Sequence, residues 1–353
     1  MIFIIIIICF RLVRVNTYRE ILTQRLHSPT QSSILGRIGE TPLTSTPPRS
    51  TLTFGLFTGI LAVSTASIFI KLAQHEGAPS IVIAAARLTI ASLTLAPVAL
   101  TRYRRELKMM TRREWLLALL SGLFLAIHFS AWITSLQYTS VASSVVLVTT
   151  TPLWVALVAP WVLHERAGAA TFVGLALALT GGVVVGLSDG CTWQAGAVYC
   201  PPLRTFFGGT AFLGDLLALA GAWMAAGYLL VGRKLRAKMA LISYIFVVYG
   251  MSAVALVAIM LGFGESPLGY APSVYLWFIL LALIPQLFGH SIFNWALKYV
   301  PASFVSVTLL GEPVGSTILA YFIFQEQPGW IKIGGAVLIL AGIWLAARIE
   351  KPA

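Results

Sequence analysis

The sequence predicts an all-α integral membrane protein, with ten transmembrane helices arranged as two inverted five-helix repeats. Three observations carry that prediction. The 353 residues are 58% hydrophobic and only 10% charged, with a mean hydropathy of +0.88, whereas soluble domains carry about 25% charged residues. Apolar runs of about 20 residues recur along the chain, long enough to cross a hydrocarbon core of about 30 Å. The chain also repeats itself. Tyr138, Pro152, Glu165, Gly174 and Gly181 recur 161 residues later as Tyr299, Pro313, Glu326, Gly335 and Gly342, and Trp115 and His128 recur 162 residues later as Trp277 and His290. A shared membrane composition accounts for matched glycines but poorly for paired histidine, proline and glutamate.

Taken in order, residues 1–10 are apolar but too short to span, and Arg11 and Arg14 follow that run, the reverse of a signal peptide's charge order. Residues 11–50, rich in Ser, Thr, Pro and Arg, read as a disordered basic arm, so 1–50 stands apart as an apolar start plus that arm. Spans are expected at 52–73, 80–100, 115–137, 141–163, 171–188, 207–231, 241–262, 274–297, 301–324 and 331–348. Residues 51–188 then form the first repeat, 189–206 an outer loop, 207–348 the second repeat and 349–353 a cytoplasmic tail. Five is odd, so the second copy enters the membrane in the opposite sense to the first. This is the inverted repeat of many secondary transporters, whose sites lie near the midplane between the copies.

Lysine and arginine set the orientation. Arg102, Arg104, Arg105, Lys108, Arg112 and Arg113 crowd one loop; Arg233, Lys234, Arg236 and Lys238 crowd another. With both loops in the cytoplasm most basic residues fall inside, and both termini are cytoplasmic. The expected location is the cell membrane, crossed many times. The net charge of +12 is then an orientation signal, and no nucleic-acid partner is expected. Three cysteines exclude a dense disulfide framework; Cys191 and Cys200 share the outer loop, where a disulfide is permitted. Gly55-x-x-x-Gly59, Gly182-x-x-x-Gly186 and Gly311-x-x-x-Gly315 point to close helix packing.

The candidate site residues are the polar groups that fall inside spans. Glu312-Pro313 interrupts the ninth span, with Glu312 roughly 16 Å from its start, near the midplane. A carboxylate there faces a partner or a watery cavity. Thr308, Glu312, Gly315 and Ser316 share one helical face, expected to look into the bundle. Glu312 is the candidate proton-coupling residue; the competing reading has it satisfying backbone freed at Pro313 or locking a salt bridge. Its counterpart in the first repeat is Thr151, which cannot ionise. Arg87, roughly 12 Å deep, is either a fixed counter-ion between spans or the holder of a substrate carboxylate. His128 and His290 are a symmetry pair, either cavity-lining or packing residues, and Trp132 and Asn294 lie one turn further along the same helices. Lys71 is expected to snorkel at the interface, and Glu165 and Glu326 to fix helix ends.

The run Gly289-His-Ser-Ile-Phe-Asn-Trp-Ala-Leu-Lys-Tyr-Val-Pro-Ala-Ser303, with Leu310-Gly-Glu-Pro313, Glu326 and Gly334-Gly335, resembles EamA-type carriers of the drug/metabolite transporter superfamily. Leu136-Gln-Tyr-Thr-Ser140, Thr151-Pro152 and His164-Glu-Arg166 look like the first-repeat version. The resemblance covers about residues 52–348. It implies ten helices in two repeats and transport of small metabolites, with export favoured by resemblance alone.

Other signals do not develop. Gly186-Leu-Ser-Asp-Gly190 matches a hydrolase elbow in letters but ends a helix and has no nearby histidine. His164-Glu165 lacks the second histidine of a zinc helix, and no ATP-binding loop occurs. No catalytic residue, cofactor or metal is therefore expected. The leading expectation is a secondary transporter of small organic or amphipathic compounds, amino-acid-like or drug-like, working by alternating access with proton coupling. The expected partners are that small molecule and the lipid bilayer, with the chain a monomer or homodimer. A phosphate-bearing-metabolite exchanger, for sugar phosphates or nucleotide sugars, is the first alternative. It calls for two or more cavity cations, and only Arg87, with Lys71 at the edge, is available. An intramembrane enzyme or non-transporting scaffold is the second, and an enzyme would gather its polar groups at one interface.

Overall fold

The computed structural model describes residues 47–163, 169–190, 192–194, 197–199 and 209–348. Expectations for the arm before residue 47, for His164, Glu165, Cys191 and Cys200, and for the tail fall outside the described residues.

Hydropathy and helix starts build the elements. Helix α1 (Arg49–His75) breaks at Thr65, whose hydroxyl donates back to the Ala62 carbonyl at 2.7 Å. Helix α2 (Ser80–Arg102) is joined by a short helix, Arg104–Met109, to α3 (Arg112–Tyr138). A reciprocal cap opens α3: Thr111 accepts from Glu114 N, and Glu114 accepts from Thr111 N at 2.8 Å. Then come α4 (Val141–Val162), α5 (Ala169–Gly190) and a small antiparallel hairpin of β1 (Thr192–Gln194) and β2 (Ala197–Tyr199). The second half holds α6 (Thr210–Arg236), α7 (Leu241–Gly262), α8 (Pro272–Ala296), α9 (Ala302–Phe324) and α10 (Trp330–Arg348). Among the described residues eight of these helices are long and apolar enough to cross a membrane. The other two, α5 and α10, carry shorter apolar runs, Phe172–Val185 and Trp330–Gly342. Large apolar side chains such as Phe54, Leu93, Trp161, Val254 and Phe322 face outward, as lipid-facing positions do.

The packing follows the duplication. Helix α3 lies on α6 as α8 lies on α1, and α4 lies on α6 as α9 lies on α1. Helices α2 and α7, α4 and α9, and α5 and α10 each pair with their own counterpart. The repeated glycines make the same exchange. A Cβ on Gly181 would come within 2.5 Å of the Gly335 carbonyl, and one on Gly342 within 2.5 Å of the Gly174 carbonyl. Gly174 and Gly335 are equivalent in the repeat, and so are Gly181 and Gly342. Each therefore meets the partner that a two-fold exchange of the repeats demands. This close crossing is at Gly181, not at Gly182, whose Cβ would only touch Leu147 at 3.8 Å. The other two glycine motifs do pack closely: Gly59 lies against Ile292 and Phe293, and Gly311 and Gly315 against Ile60 and Ser64.

One expectation changes here. The ninth span is not a continuous helix weakened by a proline in its middle. Helix α9 stops at Thr308 and restarts at Gly311, so Pro313 falls in the first turn of the second piece. A missing N–H costs nothing there, because first-turn N–H groups have no partner within the helix. Helix α4 is built alike, Val141–Val148 then Thr151–Val162, with Pro152 in the same place. Both repeats thus break their fourth helix mid-span, and each restart presents the positive end of a half-helix.

Candidate functional site

Helix α2 carries Arg87 into the bundle among Ala84, Ala85, Leu88 and Ala91, all buried. The guanidinium is fully buried. Its Nε donates to Gln286 Oε1 at 2.8 Å. Its Cζ lies 4.1 Å from the Phe129 ring centroid, so cation–π attraction replaces part of the lost hydration. Neither Nη1 nor Nη2 has a hydrogen-bond partner. Gln286 reaches this point from a π-helical stretch of α8, Ala282–His290, that contains Pro285. Proline removes an N–H from the ladder, and the wider turn re-aims the following side chain.

Around this pair the structure gathers most of the candidates. His128 Nδ1 shares a hydrogen bond with the Gly221 carbonyl at 2.9 Å. Its ring stacks on Trp132 at 6.0 Å and lies 4.7 Å from Phe129. His290 packs edge-on to the same Phe129 at 5.5 Å. The symmetry pair therefore meets across one aromatic ring. Glu312 occupies the first turn of the α9 restart, where the helix dipole favours a carboxylate, and it is only 8% exposed. Its charge acts on Arg87, yet no ion pair joins the two.

Four candidates lie elsewhere or are already engaged. The Thr151 hydroxyl donates to Val148 O at 2.9 Å and Ala222 O at 3.4 Å, and Thr308 bonds back to Val305 O at 2.7 Å. Ser316 donates to Ser64 O at 3.1 Å, on α1. Asn294 is held between two phenols: Tyr228 donates to its Oδ1 at 2.7 Å, and its Nδ2 donates to Tyr249 at 3.2 Å. The face expected to look inward is split. Its Gly315–Ser316 part closes on α1, and Glu312 alone of the four joins the central cluster.

The two ends of the bundle differ. At the Lys71 end, a cleft of about 700 Å³ is lined by Lys71, Gln74, Gln137, Thr139, Ser140 and Glu326, among others. Lys71, expected to snorkel, instead pairs with Glu326 at 2.7 Å. The second oxygen of Glu326 accepts from Val141 N at 3.0 Å, which fixes the start of α4. At the other end Arg236 donates to the carbonyls of Asn294, at 2.9 Å, and Met239, and Arg233 to that of Leu297 at 2.5 Å. Glu106 accepts from Ala240 N and Ser243 Oγ, both at 2.7 Å.

Sequence reasoning passed over Gln286, Phe129, Tyr228, Tyr249 and the buried Asp215, and read Arg236 only as an orientation charge. Gln286 had a signal, a Pro-Gln pair inside an apolar run. Asp215 had another, a lone acid early in α6. Phe129 had none.

A duplicated bundle of membrane-length helices, broken at matching places around a buried charge, is the build of a membrane transport protein. The chain belongs to the EamA-like transporter family, whose model matches residues 51–187 and again 212–348. This makes it a multi-pass membrane transporter of the drug/metabolite transporter superfamily, acting on a small-molecule substrate. An uncharacterized transporter of Archaeoglobus fulgidus is 25% identical over 284 residues, 79% of this chain and 91% of that one. A second uncharacterized transporter of that organism is 29% identical over 99 residues, 28% of this chain and 34% of its own length. A solved crystal structure superposes with a TM-score of 0.60 at 21% identity, covering 86% of this chain and all of the other. At that identity it bears on the fold alone.

Proposed function

We propose that the protein is a secondary exporter of small organic or amphipathic compounds, working in the cell membrane by alternating access. Repeats 51–188 and 207–348 are the two moving units, and the basic loops and both termini are cytoplasmic. The observation that carries this reading is a fully buried Arg87 and a nearby Glu312 that do not pair. Glu312 lies where α9 restarts, and its charge acts on Arg87 from there. Buried ions that serve only stability are paired, because an unpaired one costs several kcal/mol. Held apart, these two are available to a substrate and to a proton. In this reading Glu312 takes a proton from one side and releases it to the other, with Arg87, His128 and His290 as the charged or ionisable neighbours that bias the exchange. The Lys71 cleft serves as the outer mouth, and the Arg236 end is the closed inner gate.

Proteoliposome flux tests the proposal. Substrate accumulation should follow an imposed pH gradient, and Glu312→Gln should abolish the gradient-driven part while leaving substrate exchange in place. Gradient-driven transport that survives Glu312→Gln excludes coupling through this residue. No substrate-dependent flux under any gradient counts against transport by this route altogether.

A further inference from the structure

Four buried nitrogens of this cluster lack a close hydrogen-bond partner: Arg87 Nη1 and Nη2, Trp132 Nε1, and Gln286 Nε2, whose amide also interacts with the Tyr249 hydroxyl. All four are donors. Two constraints fix how they are presented. The Phe129 ring, 4.1 Å from Arg87 Cζ, holds one face of the guanidinium. The Nε bond to Gln286 Oε1 fixes its rotation. An arginine nitrogen only donates, so that same bond orients the amide and leaves the Gln286 NH2 as a further donor. What remains is a two-nitrogen fork with an amide beside it, in a core where an unmet donor costs stability. Glu312 is near enough for its charge to act on Arg87, yet it makes no ion pair with it. The His290 ring packs edge-on to the same Phe129 at 5.5 Å.

We propose that Arg87 and Gln286 form the binding site for a carboxylate group of the transported molecule, with Glu312 competing for the same guanidinium. The proposal rests on the transporter reading and names the substrate class for it. The planar fork matches the two oxygens of a carboxylate, and Gln286 Nε2 supplies a third donor. His128 and Trp132, stacked at 6.0 Å, form a wall for the organic remainder. A phosphate dianion fits worse, because the fork is a single cation with a carboxylate close by. The other ionisable groups around the fork are His128 on α3, His290 on α8 and Tyr249 on α7. One guanidinium cannot neutralise both an ionised Glu312 and a bound carboxylate, so the two displace each other.

The test is binding to the purified full chain, read as thermal stabilisation. The probes are matched trios: an organic acid or amino acid, its primary amide, and the corresponding phosphate ester. The acids should stabilise the protein and the amides and esters should not. Arg87→Gln should weaken acid binding about 10–100-fold, and Arg87→Lys should be intermediate. Gln286→Ala should weaken it less, and Glu312→Gln should tighten it. Should Arg87→Gln not fold, the opposite signs of Gln286→Ala and Glu312→Gln, which both keep the guanidinium, decide the matter. The proposal falls if amides or esters stabilise as well as acids, if no acid stabilises, or if Arg87→Gln binds acids unchanged. Flux separates this from the transporter reading. Acids that bind through Arg87 but never cross a proteoliposome overturn transport and leave the site standing. Flux of neutral compounds without Arg87-dependent acid binding overturns the site and leaves transport.

Discussion

At one end of the bundle Lys71 meets Glu326 beside a cleft of about 700 Å³, with side chains 16% and 22% exposed. At the other, Arg233 and the buried Arg236 reach from α6 to carbonyls at the end of α8, and Tyr228 and Tyr249 grip Asn294 between them. The first contact is charge on charge near water, which is worth about 0–1 kcal/mol. The second is a set of buried bonds, those from charged donors worth about 1.5–3 kcal/mol each. The acceptors also differ. A carboxylate is readily rehydrated or protonated, whereas a backbone carbonyl has only another donor to turn to. By these contacts the Lys71 end is held more weakly than the Arg236 end.

Three changes test that difference, from the largest expected effect to the smallest. Asn294→Leu takes one buried partner from each of the Tyr228 and Tyr249 hydroxyls, at about 1–1.5 kcal/mol each. A clear drop in thermal stability in detergent is expected, with new accessibility of cysteines placed near residue 236. An unchanged protein would mean that this end is not held by these bonds. Glu326→Ala should cost about 1 kcal/mol more than Lys71→Ala, because Glu326 also accepts from Val141 N. Equal losses would reduce the Lys71 end to its ion pair alone. The smallest effect concerns Glu76, which accepts from Ser273 Oγ and Trp277 Nε1 at the start of α8. Those hydrogen bonds, Ser273 first, hold its carboxyl below the usual carboxylate range. Its folded pKa is depressed, so its contribution is complete at neutral pH and is lost only as pH falls through that lowered value. The stability difference between the wild type and Glu76→Gln should stay flat down to about pH 5 and narrow below it. A difference that narrows nearer neutrality would contradict that assignment.

Eight of the ten expected spans and the duplication were legible because each is local: hydropathy over 20 residues, or identity at a fixed offset. The places where helices break were less so. Pro313 drew attention to the right turn but not to its meaning, since proline marks a helix restart as readily as a kink. Which face looks inward was the harder question. Ser316 and Gly315 have the polarity and size of cavity residues, yet α1 crosses there and takes them up. That crossing is a property of the assembled bundle and leaves no trace in α9 itself. Arg87 and Glu312 were visible because a charge in an apolar run has few explanations. Phe129, which holds the guanidinium's face, looked like any other apolar residue.

Three acidic side chains finish helices that belong to the opposite repeat. Glu76 serves α8, Glu106 serves α7 and Glu326 serves α4. As the chain is made, these contacts close out of order. Val141 lies 185 residues ahead of the carboxylate that completes its helix, and Glu106 waits 134 residues for Ala240. A nascent chain that has threaded only its first five helices therefore holds an open N–H at α4 and a Lys71 without its partner. The start of α4 is thus completed from the far repeat, by a carboxylate in the loop after α9.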